Sequence, residues 1–131
     1  YKGGMKEIVE SSQAPAPIGP YSQAIADAGL LFMSGQVGRK HDVTALEDGV
    51  GEQTRQAIHN LQAVLAKRAL SLTSVVKTTV FLADMEDFGA MNTVYMEMFG
   101  EDAAPARSTI EVSRLPLDAL VEIDAIAVLR Q

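Results

Sequence analysis

A chain of 131 residues with 47% hydrophobic residues fits one compact core, expected as a single domain over residues 5–131, and stands clear of the disordered class. No apolar run approaches the ~20 residues of a membrane span, and the lack of cysteine excludes disulfides, thiol nucleophiles and cysteine-ligated zinc. Eleven Lys and Arg against seventeen Asp and Glu leave a net charge of −6, which argues against a broad nucleic-acid surface.

Residues 1–4, Tyr-Lys-Gly-Gly ahead of Met5, look like an expression scar. The charged run Lys6-Glu7-Ile8-Val9-Glu10 lacks the apolar core of a secretory signal, so a cytosolic location is expected. Ala14-Pro15-Ala16-Pro17-Ile18-Gly19-Pro20 has several fixed φ angles and predicts a stiff, extended loop delivering the chain into Tyr21. Residues 21–26 and 30–36 then form two short strands around the turn residues Asp27-Ala28-Gly29.

From Val50, apolar residues at Ala57, Ile58, Leu61, Val64 and Leu65 recur at helical spacing, with Glu52, Arg55, Gln56, Asn60 and Lys67 mostly opposite. Ser71-Leu72-Thr73-Ser74 ends that helix, and the β-branched run over residues 75–82 is the clearest strand. A second helix carries Phe88, Met91, Val94, Tyr95, Met98 and Phe99 on one stripe and closes at Gly100. Residues 106–112 and 120–129 form two further strands, expected to pair with each other across residues 113–118. The order strand, strand, strand, helix, strand, helix, strand, strand gives an α+β domain with helices on one face of a mixed sheet.

Charge placement in the last two strands points to a site. Arg107 and Glu122 stand in otherwise apolar, β-branched surroundings, where a charge needs a partner, a ligand or water. Alternation puts Ser108, Ile110 and Val112 toward the helices and Arg107, Thr109 and Glu111 on the other face. On the partner strand Val121, Ile123, Ala125 and Ala127 form the core row, leaving Leu120, Glu122, Asp124, Ile126 and Val128 opposite. A hairpin centred between Leu115 and Pro116 would pair Arg107 with Asp124 and Thr109 with Glu122 on that second face. The face is too apolar for solvent alone, so a second copy of the chain is expected to cover it. Two readings stay open: a small-acid site, or a plain cross-strand ion pair of Arg107 with Asp124 or Glu122.

Gly19-Pro20-Tyr21-Ser22-Gln23-Ala24, Ser34-Gly35-Gln36, Val76-Lys77-Thr78-Thr79-Val80-Phe81-Leu82, Pro105-Ala106-Arg107-Ser108 and Val121-Glu122-Ile123-Asp124-Ala125-Ile126-Ala127 resemble the RidA (YjgF-type) reactive-intermediate deaminases, in the same order and with nearly the same spacings. The resemblance implies a chorismate-mutase-like subunit, a homotrimer and clefts between neighbouring subunits. It also implies hydrolysis of 2-imino acids and their enamine tautomers, such as 2-aminoacrylate, to 2-keto acids and ammonia, without metal or organic cofactor. Carried over by position, Arg107 would hold the substrate carboxylate and Glu122 would position or activate water. Tyr21, Ser34, Gly35 and Asn92 would line the cleft, with Gly35 allowing close backbone approach.

This sequence departs from the family pattern where many relatives carry cysteine and Thr109 stands here, which should alter cleft polarity without abolishing activity. Residues 37–47 lack the family's Pro-rich, Thr-Gly turn, and residues 100–104 are short. Locally, Tyr21 could equally be a packed aromatic, Ser34 a turn hydroxyl and Asn92 a solvent-facing amide. Arg114 and Asp118 read as loop charges, and His41 and His59 as surface residues without metal-ligand spacing. Competing functions are a carboxylate-sensing module that binds keto acids without turnover, an endoribonuclease or translation inhibitor as in some relatives, and a chaperone-like role. The reading hangs on Arg107 and Glu122 projecting from adjacent strands, in the same direction, into a hollow shared between protomers.

Overall fold

The computed structural model describes residues 6–129. The scar expected at residues 1–4 lies outside the described residues, as do Met5, Arg130 and Gln131. The elements are β1 (Glu7–Val9), β2 (Ala24–Asp27), β3 (Leu30–Val37), α1 (Gly49–Ala66), β4 (Val75–Leu82), α2 (Phe88–Phe99), β5 (Ala106–Glu111) and β6 (Val121–Val128).

Local chemistry sets several boundaries. Ala28 and Gly29, at φ 55° and 78°, make the two-residue turn between β2 and β3, the left-handed pair that matches strand twist. At the end of α2 the Gly100 N–H closes onto the Met96 carbonyl at 2.8 Å with φ 79°. Both helices and the β4 strand fall where periodicity predicts them.

One six-stranded sheet runs β1-β2-β3-β6-β4-β5. All neighbours are antiparallel except β4 and β5. This corrects the expected hairpin: β5 pairs with β4 in parallel, and β6 inserts between β3 and β4. The physical reason is the strand–helix–strand run β4-α2-β5, whose crossover helix returns the chain in the same direction, whereas residues 112–120 are free to carry it past β4.

α1 and α2 cover one face. Ile58, Leu61, Val64 and Leu65 of α1 and Met91 and Tyr95 of α2 bury against Leu31, Met33, Val80, Leu82, Val121 and Ile123. Each fully buried aliphatic side chain contributes ~1.5–3 kcal/mol. Asn60, expected on the polar side of α1, is fully buried; its Nδ2 donates to the Val37 and Arg39 carbonyls at 3.2 and 2.9 Å, supplying partners to chain leaving β3. Gln23 does the same for the Pro-rich loop, donating to the carbonyls of Ser11, Ala14 and Pro15 and accepting from the Ser11 N–H. That buried amide holds residues 11–21 beside the sheet.

The other face is open. Across it Ile8, Ile25, Phe32 and Ile126 stand in register on β1, β2, β3 and β6, and Ile8 and Phe32 are 62% and 42% exposed. Among the described residues no helix is long and apolar enough to cross a membrane.

Candidate active site

Arg107 is placed by β5 and gripped by α2. In the parallel register it lies opposite Thr78, whose side chain is fully buried on the helix side. Arg107 therefore points toward the helices. Phe88, Asn92 and Tyr95, at helical spacing along α2, form the surface that receives it. Nη1 of Arg107 donates to Asn92 Oδ1 at 2.7 Å, and the guanidinium carbon sits 4.7 Å from the Tyr95 ring centroid and 5.6 Å from that of Phe88.

Tyr95 is itself immobilised by stacking on Phe99 at 4.5 Å and by a 2.7 Å bond between its hydroxyl and Thr78 Oγ1. Burial pushes the Tyr95 hydroxyl above its ordinary pKa, so it stays a neutral partner for the cation. Among the described residues Arg107 forms no ion pair; the bridges involve Arg55, Arg68 and Arg114. The guanidinium is oriented but not neutralised. It opens into a depression shared with Asn92, Tyr95 and Pro105.

Glu122 lies on the other side of the sheet. Its neighbours Val121 and Ile123 are fully buried under the helices, so alternation turns Glu122 to the open face, across from Val37 on β3 and Phe81 on β4. A bulge in β3 between Met33 and Gln36 sets Gly35 against the carboxylate. A Cβ at Gly35 would collide with Glu122. The carboxyl enters a cavity rimmed by Ile18, Tyr21, Gly35, Pro116 and Leu117. Burial, and secondarily the Asp124 carboxylate, raise the Glu122 pKa above the ordinary carboxylate value.

Two expectations fail at this point. Arg107 and Thr109 face the helices, not the open face, while Ile110, expected inward, is 44% exposed. β5 is an edge strand whose helix side meets only part of α2, so apolar alternation there does not report burial. The cross-strand pairs also disappear, because β4 separates β5 from β6. Asp124 instead accepts from the Thr79 N–H at 3.1 Å, and the ion-pair reading of Arg107 falls with the hairpin. Within one protomer Arg107 and Glu122 occupy opposite faces, so the single-face site is overturned.

The remaining candidates divide between the two regions. Asn92 and Thr109 fall on the Arg107 side, where Thr109 Oγ1 is buried without a hydrogen-bond partner among the described residues. Tyr21 and Gly35 fall with Glu122, and Tyr21 is half exposed, its hydroxyl accepting from the Ile18 N–H at 3.4 Å. Ser34 Oγ donates to the Ser22 carbonyl at 2.6 Å, fastening the incoming loop, and lines a neighbouring depression with Tyr21. Sequence reading missed Phe88 and Tyr95 as partners of Arg107 and left Pro116 and Leu117 out of the Glu122 cavity. The i, i+4, i+7 spacing of Phe88, Asn92 and Tyr95 was the available signal. His59 is exposed, and no group of three or more metal-ligating side chains occurs among the described residues.

Fold and site together define a two-layer α+β protein with an unpaired cation at a sheet edge and a desolvated carboxyl on the open face. Residues 11–129 match the sequence model of the family described as Endoribonuclease L-PSP. The RutC family protein slr0709 of Synechocystis is 50% identical over 125 residues, covering 94% of this chain and 96% of that protein. The Escherichia coli protein named "Putative reactive intermediate deaminase TdcF" is 39% identical over 126 residues, covering 95% and 98%. The crystal structure of Escherichia coli TdcF with bound serine superposes with a TM-score of 0.89 at 38% identity, covering 95% of this chain and 99% of that one. The chain belongs to this family, the RidA (YjgF-type) proteins.

Proposed function

We propose that this protein is a cytosolic hydrolase that converts 2-imino acids and their enamine tautomers (2-aminoacrylate, 2-iminopropanoate, 2-iminobutanoate) to 2-keto acids and ammonia. The observation that carries this reading is the Arg107 guanidinium, held by Asn92 and two aromatic faces; Glu101 lines the same depression, but among the described residues no carboxylate forms an ion pair with Arg107. A pre-oriented planar fork suits a small carboxylate ligand. The reaction class is also supported by the reactive-intermediate deaminase name of one relative, and serine bound to TdcF shares the carboxylate and C2 nitrogen of such substrates.

The active cleft is composite. Arg107 at the edge strand of one copy and Glu122 on the open face of the next can share a substrate only across a boundary between copies, and a closed homotrimer provides three such boundaries. The apolar row Ile8, Ile25, Phe32 and Ile126 supports burial of the open face in that assembly.

In the cleft, Arg107 and Asn92 fix the substrate carboxylate, with Thr109 beside them, and Tyr21, Ser34 and Gly35 bound the opposite wall. Water, its proton passing to Glu122, attacks C2 of the iminium. The new C–O bond forms as the C=N pair moves onto nitrogen. Glu122 returns the proton to nitrogen, the C–N bond breaks, ammonia leaves, and loss of the hydroxyl proton gives the keto acid. A carboxyl raised above its ordinary pKa is suited to that exchange.

The test generates the imine in place with an amino-acid oxidase and follows keto acid and ammonia release. Acceleration by the wild type and its loss in Arg107→Ala are expected. Wild-type rates in Arg107→Ala would overturn the proposal, and calorimetric binding of 2-oxobutanoate without turnover would replace it with the sensing module.

A further inference from the structure

The loop that joins β5 to β6 carries a leucine in left-handed backbone. Leu117 has φ 61° and ψ 17°, left-handed backbone that a leucine side chain disfavours and that glycine or asparagine adopts readily. Among the described residues three other non-glycine positions have positive φ: Ala28 and Ala69 carry only a methyl group, and Asp118 is short and polar. Leu117 alone is large and apolar, and its side chain is 50% exposed instead of joining the core.

The loop around it is firmly tied. Asp118 N–H donates to the Leu115 carbonyl at 3.1 Å, Ala119 N–H to that of Pro116 at 3.0 Å, and Arg114 bridges Asp118 at 2.9 Å. Behind it Ala119 is buried, and the Leu120 N–H donates to Gln53 Oε1 at 2.8 Å. A strained, exposed leucine on a fixed loop sits where its side chain forms part of the cavity that holds Glu122, with Pro116, Ile18 and Tyr21.

Resting on the hydrolase reading above, we propose that Leu117 is a specificity-determining residue whose side chain forms the wall for the substrate's aliphatic group, favouring 2-imino acids with branched or longer side chains over 2-iminopropanoate. Glu122 fixes where water meets C2, so the group attached at C3 must lie against the remaining cavity wall. Gln23, Gln36 and Arg39 supply the polar part of that wall, and Pro116, Leu117 and Ile18 its apolar part.

Leu117→Asn keeps a residue that tolerates left-handed backbone while removing the apolar wall, and Leu117→Met restores apolar reach. The readout is the ratio of kcat/KM for 4-methyl-2-iminopentanoate to that for 2-iminopropanoate, paired with the ratio of calorimetric affinities for 4-methyl-2-oxopentanoate and pyruvate. Both ratios should fall about tenfold in Leu117→Asn, the scale of one or two methylene contacts, and return toward wild type in Leu117→Met. Unchanged ratios in Leu117→Asn overturn the proposal and leave the hydrolase reading standing. So does loss of assembly with unchanged preference, which assigns Leu117 to packing between copies. A fall in the keto-acid ratio alone, in a wild type without turnover, supports the leucine wall and overturns hydrolysis. Absence of both binding and turnover overturns both.

Discussion

The two charged regions of this sheet solve opposite problems. Arg107 keeps its charge accessible: an amide oxygen and two ring faces orient it without neutralising it. Glu122 has its charge made costly, first by burial and then by Asp124, so its carboxyl is drawn toward the protonated form. In the proposed reaction the unpaired cation suits an anchor, and a carboxyl with a raised pKa suits a proton carrier. Their placement on opposite faces is what the proposed composite cleft answers, with each copy giving the anchor to one cleft and the proton carrier to another.

The largest effects come from removing either half. Arg107→Ala should lower kcat/KM by about 10²–10⁴, the loss of two charge-assisted hydrogen bonds at ~1.5–3 kcal/mol each, and Arg107→Lys should recover little of it. Glu122→Gln should cost a similar ~10²–10⁴ in kcat. Unfolding and reassembling the two inactive variants together is the sharper experiment. Some clefts would then combine the intact Arg107 of one chain with the intact Glu122 of the other, and activity should reappear. Mixtures as inactive as their components, in demonstrated mixed oligomers, would place both residues' action within one chain and break the composite cleft.

Gly35→Ala sharpens the Glu122 side. The added methyl collides with the carboxylate and must displace it, while Arg107, on the other face, is untouched. Turnover should fall about tenfold or more with affinity for 2-oxobutanoate held within a few-fold, because a misplaced base costs rate before it costs carboxylate binding. Equal losses in both would assign Gly35 to the anchor.

What the sequence disclosed and what it concealed follow the same physical line. Periodicity reports spacing, so α1, α2 and β4 were legible, as was the turn at Ala28 and Gly29. It does not report which strand lies beside which. Ser108, Ile110 and Val112 looked like a core row, but β5 takes its register from β4 and leaves Ile110 exposed at the sheet edge. Buried amides were hidden for a related reason: Asn60, Gln23 and Gln53 satisfy backbone groups well removed in sequence, which no local pattern marks. Tyr95 and Phe88 read as core aromatics because a ring that packs and a ring that holds a cation have the same spacing. The family motifs named Arg107 and Glu122, and position in relatives named Asn92, but neither gave the two sides of the sheet on which they stand.

The proton-carrier half should also leave a trace in stability. With the native pKa of Glu122 above its unfolded value, the native state binds the extra proton between the two, so stability falls as pH rises through that window. Below the unfolded value the group is protonated in both states and the penalty is absent. Glu122→Gln should therefore match the wild type near pH 3 and melt at a higher temperature at neutral pH, by a small margin because the group is only half buried. Equal melting temperatures across the range would show that the assembled protein offsets the desolvation.

The smallest effect belongs to Thr109, on the anchor side. Its buried hydroxyl lacks a partner among the described residues, and leaving such a group unsatisfied costs ~1–3 kcal/mol. Thr109→Val replaces the hydroxyl with a methyl of similar volume, so two roles separate cleanly. If the hydroxyl has no partner in the assembled protein either, the variant should melt several degrees higher with kcat and KM unchanged. If the hydroxyl meets the substrate carboxylate beside Arg107, KM should rise a few-fold with kcat retained, since the contact is made equally in ground and transition states. The composite cleft predicts the second pattern, because a boundary between copies brings ligand and water to the edge strand that carries Thr109. A stabilised variant with untouched kinetics would confine the anchor to Arg107 and Asn92.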